Sequence, residues 1–232
     1  MIPIIIYTHT DYQDIFNICI ERHNKYSPNF EKIIFSNKLL NDTNINILYN
    51  DTIPYTERIY NSICKLPIQC EYIILTHDWS ILYDYIDDAK INDAIQTMKN
   101  KDIHQIRLIH SGAGNIVYID DPIIPLSNTS YLYSVQPTIW NINVLKQITY
   151  NNRELNYRNI ELGVFEYMKQ FNNYVYYEGE ELFPNANHHK SNIFPHIHST
   201  SRGKWILHEN HPYIDNIIDE FSIDINIRGC IT

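Results

Sequence analysis

The sequence predicts an α/β protein in which a mixed, mostly parallel sheet is flanked by helices and followed by an irregular C-terminal tail. Strand-like and helix-like segments alternate over the first ~80 residues, which is typical of a largely parallel sheet. Residues 72–75 form an uninterrupted apolar run, as expected for a strand that is buried on both faces. From Glu178 onward periodicity is lost until residue 212, so this segment is predicted to be irregular.

Hydrophobic periodicity places the individual elements along the chain. Strands are predicted at residues 2–7, 33–35, 45–49, 72–78, 105–110, 115–119, 131–136 and 174–177. Helices, in which apolar residues recur at helical spacing, are predicted at residues 12–26, 55–65, 91–100, 141–149, 160–171 and 212–221. The link from Ser111 to Gly114 contains two glycines, which favours a hairpin between the strands on either side.

Length and composition limit the class of protein. The chain has 232 residues, of which 44% are hydrophobic, and we expect a single domain over residues 1–232. A net charge of −9 argues against a protein that grips nucleic acid, because that needs a clustered basic surface. We expect no transmembrane segment and a cytoplasmic protein, since no apolar run approaches ~20 residues and the N-terminus lacks a basic leader. The cysteines show no paired spacing and are expected to be reduced: Cys19, Cys64, Cys70 and Cys230.

The sharpest local signal is the end of the apolar strand, at His77, Asp78 and Trp79. In open α/β sheets ligands bind beyond the carboxyl ends of the strands, so a carboxylate placed here can contact a metal or a phosphate. The alternative is that Asp78 forms a turn or caps the next helix, since its side chain accepts backbone N–H groups.

The C-terminal tail is rich in histidine. Six of the 11 histidines lie there: His188, His189, His196, His198, His208 and His211. His196 and His198 flank one residue, so in an extended segment both side chains point the same way. Carboxylate oxygen and neutral imidazole together suit a divalent cation such as Mn²⁺. The alternative is that this histidine-rich segment is a polar surface loop.

The chain has no Gly-rich phosphate loop and no G-x-S-x-G elbow, which argues against dinucleotide enzymes, P-loop NTPases and acyl hydrolases.

The order and spacing of several segments resemble glycosyltransferases of the GT-A fold, in particular those of large DNA viruses and bacterial surface-polysaccharide loci. These segments, spread over nearly the whole chain, are IPIIIYTH, TERIYNSICKL, EYIILTHDWSIL, SYLYSVQPTIWNINVLKQI, RNIELGVFEYM and IFPHIHSTSRGKW. The resemblance implies a GT-A-like, Rossmann-type fold.

The resemblance also implies roles for residues of the donor site. In that family an acidic pair at the end of the central strand carries the metal that holds a nucleotide diphosphate, and here Asp78 matches one acid while His77 stands in place of the other. The end of the first strand holds the nucleobase and ribose in the family, which corresponds to Thr8, His9 and Thr10. A basic residue on the preceding helix corresponds to Arg58.

Residues of the second half are assigned in the same way. Glu161 resembles the carboxylate that accepts the proton of the acceptor hydroxyl, although an acid at a helix N-terminus is also favoured by the helix dipole alone. Gln136 and Trp140 would line the sugar or acceptor pocket, the alternative for Trp140 being the core. The residues themselves predict one further role: the density of histidines, the missing second acid and the length of the irregular segment indicate that the tail from His188 to Trp205 closes over the donor, with His198 first and His196 second completing the metal or pyrophosphate site.

The function implied is the transfer of a sugar from a nucleotide-sugar donor, UDP-linked first and GDP-linked second, to a hydroxyl of a glycan or glycosylated protein. Mn²⁺ or Mg²⁺ would be the cofactor. Residues 1–110 would bind the nucleotide sugar and residues 111–232 the acceptor, and a viral protein would act in the host cytoplasm. Two alternatives stay open: a nucleotidyltransferase, and a non-catalytic relative that binds a glycan or a partner protein.

Overall fold

The structure is a computed structural model that describes residues 2–40, 44–67, 69–110, 121–126, 131–183, 189–208 and 212–231. Its strands are β1 (Ile4–Tyr7), β2 (Lys32–Ser36), β3 (Ile45–Leu48), β4 (Tyr72–His77), β5 (Ser80–Leu82), β6 (Gln105–Arg107), β7 (Ile123–Pro125), β8 (Thr138–Asn141), β9 (Asn173–Tyr176), β10 (His196–His198), β11 (Thr200–Ser201), β12 (Lys204–Ile206) and β13 (Cys230–Ile231). Its α-helices are α1 (Gln13–Tyr26), α2 (Tyr55–Cys64), α3 (Asp88–Lys101), α4 (Ile142–Asn151), α5 (Ile160–Gly163), α6 (Phe165–Met168), α7 (Tyr213–Phe221) and α8 (Ile225–Arg228).

An eight-stranded sheet forms the centre of the molecule, in the order β3-β2-β1-β4-β8-β6-β9-β7. The first four of these strands run parallel, β6 and β9 share their direction, and β8 and β7 run opposite. The predicted mixed, mostly parallel sheet is therefore confirmed. Strands from residues 1–110 and from residues 111–232 contribute to the same sheet.

Side chains alternate between the two faces of the sheet, as the period of a strand requires. Ile4 and Ile6 of β1 join a core that also contains apolar residues of α1, α3 and α7. Ile5 and Tyr7 join a second core that contains residues of α2, α4 and α5. Because both faces are covered, β1 and β4 are buried along their whole length, and this is why they are continuous apolar runs in the sequence.

Most predicted helices and strands are present with ends shifted by a few residues, but the strand predicted at residues 131–136 is wrong. The strand begins after Pro137, as β8. The carbonyls of Tyr131 and Leu132 accept hydrogen bonds from the side chains of Arg107 and Gln105, so side chains take up backbone groups that a strand ladder would use. The strand predicted at residues 115–119, and its hairpin turn, lie outside the described residues.

The long helix predicted at residues 160–171 is also wrong, because it is broken into α5 and α6 at Val164. The apolar periodicity itself holds, since Ile160, Val164 and Met168 are all fully buried. Gly163, a poor helix former, precedes the break and lies against the side chain of Leu155.

The C-terminal tail is less irregular than predicted. β10 pairs antiparallel with β5, a strand that the sequence did not predict, and β11 and β12 form a hairpin that β13 extends. The helix predicted at residues 212–221 is present as α7. Within the described ranges no helix is both long and apolar enough to cross a membrane.

Candidate functional site

The candidate site lies where β1 and β4 end side by side. The two strands pair in register through Tyr7 and His77, so Thr8 and Asp78 follow at the same edge of the sheet. The backbone N–H of Asp78 donates to the carbonyl of Tyr7 at 3.1 Å, and the hydroxyl of Thr8 donates to the Asp78 carboxylate at 2.6 Å. These bonds hold the carboxylate at the carboxyl end of the sheet, where open α/β sheets bind ligands.

The environment of Asp78 is unusual for a carboxylate. The residue is 7% exposed, and burial raises the pKa of its side chain to about 7 in spite of hydrogen bonds from Thr8 and from the backbone of Trp79. Asp78 also stands in the tight turn between β4 and β5, so the turn-forming alternative describes its backbone. Burial of this acid lowers the stability of the fold, and acids with such shifted pKa values are found mainly at functional sites.

An open cavity of about 930 Å³ lies against these strand ends. Its walls come from segments that are far apart in the sequence. The lining residues are Tyr7, Thr8, His9, Tyr12, His77, Asp78, Trp79, Val135, Tyr157, Arg158, Glu161, His198, Thr200, Ser201, Arg202 and Gly203. A cavity of this size is large enough for a cofactor or a drug-sized ligand.

Glu161 lines the same cavity from α5. Its Oε1 accepts hydrogen bonds from the hydroxyl of Ser134 at 3.1 Å and from the backbone N–H of Val135 at 2.9 Å. Within the described residues its second oxygen, Oε2, makes no hydrogen bond. A carboxylate that is held through one oxygen can accept a proton from a ligand hydroxyl through the other.

Aromatic rings form much of the remaining wall. The indole N–H of Trp79 donates to the hydroxyl of Tyr157 at 3.1 Å, and the ring centroid of His198 lies 4.3 Å from that of Trp79. Tyr7 stacks on Tyr49 with a centroid separation of 5.0 Å. Such rings offer flat apolar faces with polar edges, which suits the ring of a nucleobase or a sugar.

His77 is a packing residue and not a free ligand. Its Nδ1 lies 3.0 Å from the carbonyl oxygen of Val135 and its Nε2 lies 2.9 Å from the hydroxyl of Tyr55. A neutral ring satisfies both, with Nδ1–H donating and Nε2 accepting. Burial lowers the pKa of His77 to about 3, so the ring stays neutral near pH 7.

The residues around Asp78 do not fit the metal that the resemblance implies. Throughout the described part of the chain, no three His, Cys, Asp or Glu side chains are grouped so that they could hold an ion. Asp78 and His198 line the cavity, whereas His196 is buried and its Nδ1 lies 2.8 Å from the carbonyl oxygen of Phe194. Burial also favours the protonated form of Asp78, while a metal ligand must be ionised.

No protein-family model and no curated protein sequence matches the chain. Among solved structures, residues 1–349 of S. aureus TarS match with a TM-score of 0.50 and 12% identity over 78% of this chain and 58% of that one. The chain has a GT-A-like fold. The bifunctional IspDF of Campylobacter jejuni matches with a TM-score of 0.43 and 10% identity over 78% of this chain and 50% of that one. The chain thus spans 50% to 58% of the length of these two proteins, and at such identities the likeness describes the fold alone.

Within this GT-A-like fold, five of the residues assigned from the sequence come together in the cavity: Thr8, His9, Asp78, Glu161 and His198. Five others do not line it: Thr10, Arg58, Gln136, Trp140 and His196. The sequence could not separate the two sets. Eight of these residues stand at or near a predicted strand or helix end, and His196 and His198 lie two residues apart in a tail that was predicted to be irregular.

Two of the residues outside the cavity support the loop that follows β1. Arg58 donates to the hydroxyl of Tyr7 at 3.2 Å and pairs with Asp51 at 3.3 Å, and Asp51 also lies 2.8 Å from His9. The backbone N–H of Thr10 donates to the side chain of Asn37 at 2.9 Å. Arg58 and Thr10 therefore hold the residues next to the cavity rather than lining it.

Trp140 and Gln136, which the resemblance placed in the sugar or acceptor pocket, do not line this cavity. Trp140 is fully buried in β8, where it packs in the core against Tyr133, so the alternative of a core tryptophan applies. The Oε1 of Gln136 is 3.4 Å from Nε2 of His196.

Three cavity residues were not found from the sequence: Tyr157, Arg158 and Arg202. Tyr157 and Arg158 lie in a loop without periodicity, and Arg202 lies in a turn of the tail. The available signal was that basic residues are scarce in this acidic chain and that Arg202 precedes a glycine.

Proposed function

We propose that this chain is a glycosyltransferase that moves a sugar from a nucleotide-sugar donor to a hydroxyl group of a glycan or a glycosylated protein. The observation that carries the proposal is one cavity with two separate carboxylates, Asp78 at the end of β4 and Glu161 in α5. A transferase of this kind needs a place that holds the donor and a base beside the incoming hydroxyl, and the two carboxylates supply one residue for each.

The donor is proposed to lie against the ends of β1 and β4. The carboxyl group of Asp78 can accept a hydrogen bond from a hydroxyl of the donor, while the aromatic side chains of Tyr7 and Trp79, which line the same end of the cavity, can contact its rings. UDP is the first choice of nucleotide and GDP the second. S. aureus TarS, which shares the fold, has been solved in complex with UDP-GlcNAc and with UDP, which supports this order.

Glu161 is proposed to be the catalytic base. As the acceptor oxygen bonds to the anomeric carbon, its proton passes to Oε2 of Glu161. The bond between the anomeric carbon and the diphosphate oxygen breaks at the same time, and its electron pair leaves with the diphosphate. A positioned base of this kind contributes on the order of 10²- to 10⁴-fold to the rate. No step of this mechanism is assigned to a metal.

The two halves of the chain are proposed to bind different substrates, on the basis of the cavity residues that each half contributes. Thr8, His9 and Asp78 come from residues 1–110, which would bind the nucleotide sugar. Glu161 and His198 come from residues 111–232, which would bind the acceptor and close over the donor.

The first test is a thermal-shift panel of UDP, GDP and their sugar conjugates. A ligand present at ~100 times its Kd stabilises the fold by about 2.7 kcal/mol, which gives a clear shift. The second test is slow hydrolysis of the nucleotide sugar that shifts most, followed as release of free nucleotide. Both assays work without knowledge of the acceptor.

A pair of variants separates catalysis from folding. Glu161→Gln should lower nucleotide release at least ~100-fold while the thermal shift by the donor is kept. Glu166→Gln is the matched control, because Glu166 pairs with Lys169 on the exposed side of α6 at 2.6 Å. Release of pyrophosphate from a nucleoside triphosphate would show a nucleotidyltransferase instead, and binding without turnover a non-catalytic relative. If no nucleotide shifts the melting temperature, the proposal is wrong.

A further inference from the structure

Two arginines that line the cavity make no ion pair, hydrogen bond or ring contact with the residues that the structure describes. Of the seven arginines in the chain, five make an ion pair, a hydrogen bond or a ring contact: Arg22, Arg58, Arg107, Arg153 and Arg228. The other two are Arg158 and Arg202, and for neither do the described residues provide such a contact. Both face the cavity that holds Asp78 and Glu161. Both side chains are exposed, so in a chain with a net charge of −9 two guanidinium groups that have no partner among the described residues are available to an anionic ligand in this cavity.

The backbone at Arg202 gives a second, independent observation. Arg202 and Gly203 form the two-residue turn between β11 and β12, and their φ angles are +52° and +78°. Turns of this kind favour Asn, Asp or Gly, because a longer side chain is disfavoured in the left-handed region. The other described non-glycine residues with positive φ, Asp102 and Ser222, end α3 and α7. An arginine kept in a strained turn at a cavity indicates a functional constraint.

The proposed reaction creates a negative charge that these arginines could stabilise. When the bond between the anomeric carbon and the diphosphate breaks, the electron pair moves to the diphosphate, which gains one negative charge. A divalent cation is one way to stabilise that charge, but the residues around Asp78 do not fit such an ion. A guanidinium group is always charged and binds phosphate oxygens through paired N–H donors.

We propose that Arg158 and Arg202 form a clamp that holds the diphosphate of the donor in place of a divalent cation. The proposal rests on the proposed function, since it takes the ligand to be a nucleoside diphosphate. The two arginines come from the segment before α5 and from the tail hairpin, so the clamp also joins the tail to the residues that carry Glu161.

Calorimetric titration with UDP tests the clamp, with GDP as a second arm. Wild-type protein should bind UDP in excess EDTA as well as in excess Mn²⁺, within about threefold. Arg158→Gln and Arg202→Asn should each lower the affinity on the order of tenfold or more, since each removes charge-assisted hydrogen bonds. They should also weaken the dependence of affinity on salt concentration. Arg153→Gln, whose guanidinium lies over the ring of Tyr150, is the control and should change neither.

Loss of affinity in Arg202→Asn would not result from unfolding. Because Asn is better suited than Arg to a positive φ, this variant should have a melting temperature no lower than that of wild type. UDP binding that requires Mn²⁺ and is equal in wild type and both variants would overturn the clamp and leave the proposed function standing. The clamp would also be overturned if Arg158→Gln and Arg202→Asn lost affinity for UDP while the salt dependence of binding stayed as in wild type. If wild type binds no nucleoside diphosphate and no nucleotide sugar, the proposed function fails and the clamp with it.

Discussion

Replacing Asp78 by Asn should make the folded protein more stable at neutral and alkaline pH. The side chain is 7% exposed, and burial raises its pKa from 3.8 to about 7. Above that pH the folded protein contains an ionised carboxylate that water solvates better in the unfolded chain. At about 1.36 kcal/mol per pH unit, the interval between the two values corresponds to about 4 kcal/mol.

The effect must depend on pH with a definite sign. Well below pH 3.8 the carboxyl is protonated in both states, so Asp78→Asn should change the free energy of unfolding little. As the pH rises the unfolded chain releases the proton first, and wild type loses stability relative to the variant until about pH 7. Above that the difference is constant. The amide retains a carbonyl oxygen that can accept the hydroxyl of Thr8, so the hydrogen bond between the strand ends survives.

Urea unfolding of both proteins at several pH values between about 4 and about 8 measures this difference. Asp93→Asn, at an exposed position of α3, is the control. A difference between Asp78→Asn and wild type that is constant with pH, or a variant less stable at pH 8, would refute the reasoning from burial. The same variant should lose donor turnover by at least ~100-fold, about 2.7 kcal/mol, if Asp78 contacts the donor.

Three further outcomes are expected. Ser134→Ala removes one hydrogen bond that holds Glu161 and should lower turnover about five- to tenfold with nucleotide affinity unchanged, whereas a parallel loss of affinity would contradict a positioning role. His198→Ala should weaken UDP binding severalfold, and UDP should protect the tail around β10 from proteolysis; equal cleavage with and without UDP would show that the tail does not close. In Asp78→Asn, which lacks the opposite pH trend of the Asp78 carboxyl, acidification from about pH 6.5 toward pH 3 should lower the urea midpoint, because burial lowers the pKa of His23 and His77 to about 3 and the unfolded histidines bind protons that the folded ones do not; a constant midpoint would contradict this.

The sequence by itself determined the elements that depend on short-range patterns. The apolar runs of β1 and β4 predicted buried parallel strands, and the helical spacing of apolar residues predicted α1, α2 and α3. Thr8 and Asp78 could be placed at the edge of the sheet for the same reason, because they follow strands that had to be parallel.

Tertiary structure decided the rest. Residues 131–136 and 160–171 had the right periodicity, yet side-chain hydrogen bonds to backbone carbonyls and a break at Val164 gave other structures. His196 and His198 are two residues apart in β10, and their positions along its pairing with β5, opposite Leu82 and Ser80, decided that His198 lines the cavity while His196 is buried. No short-range pattern places Arg158 and Arg202 at one cavity, because the loop and the turn that carry them come together only through long-range packing. Periodicity encodes which face of an element is buried, whereas the meeting of distant loops depends on contacts that no short segment of sequence contains.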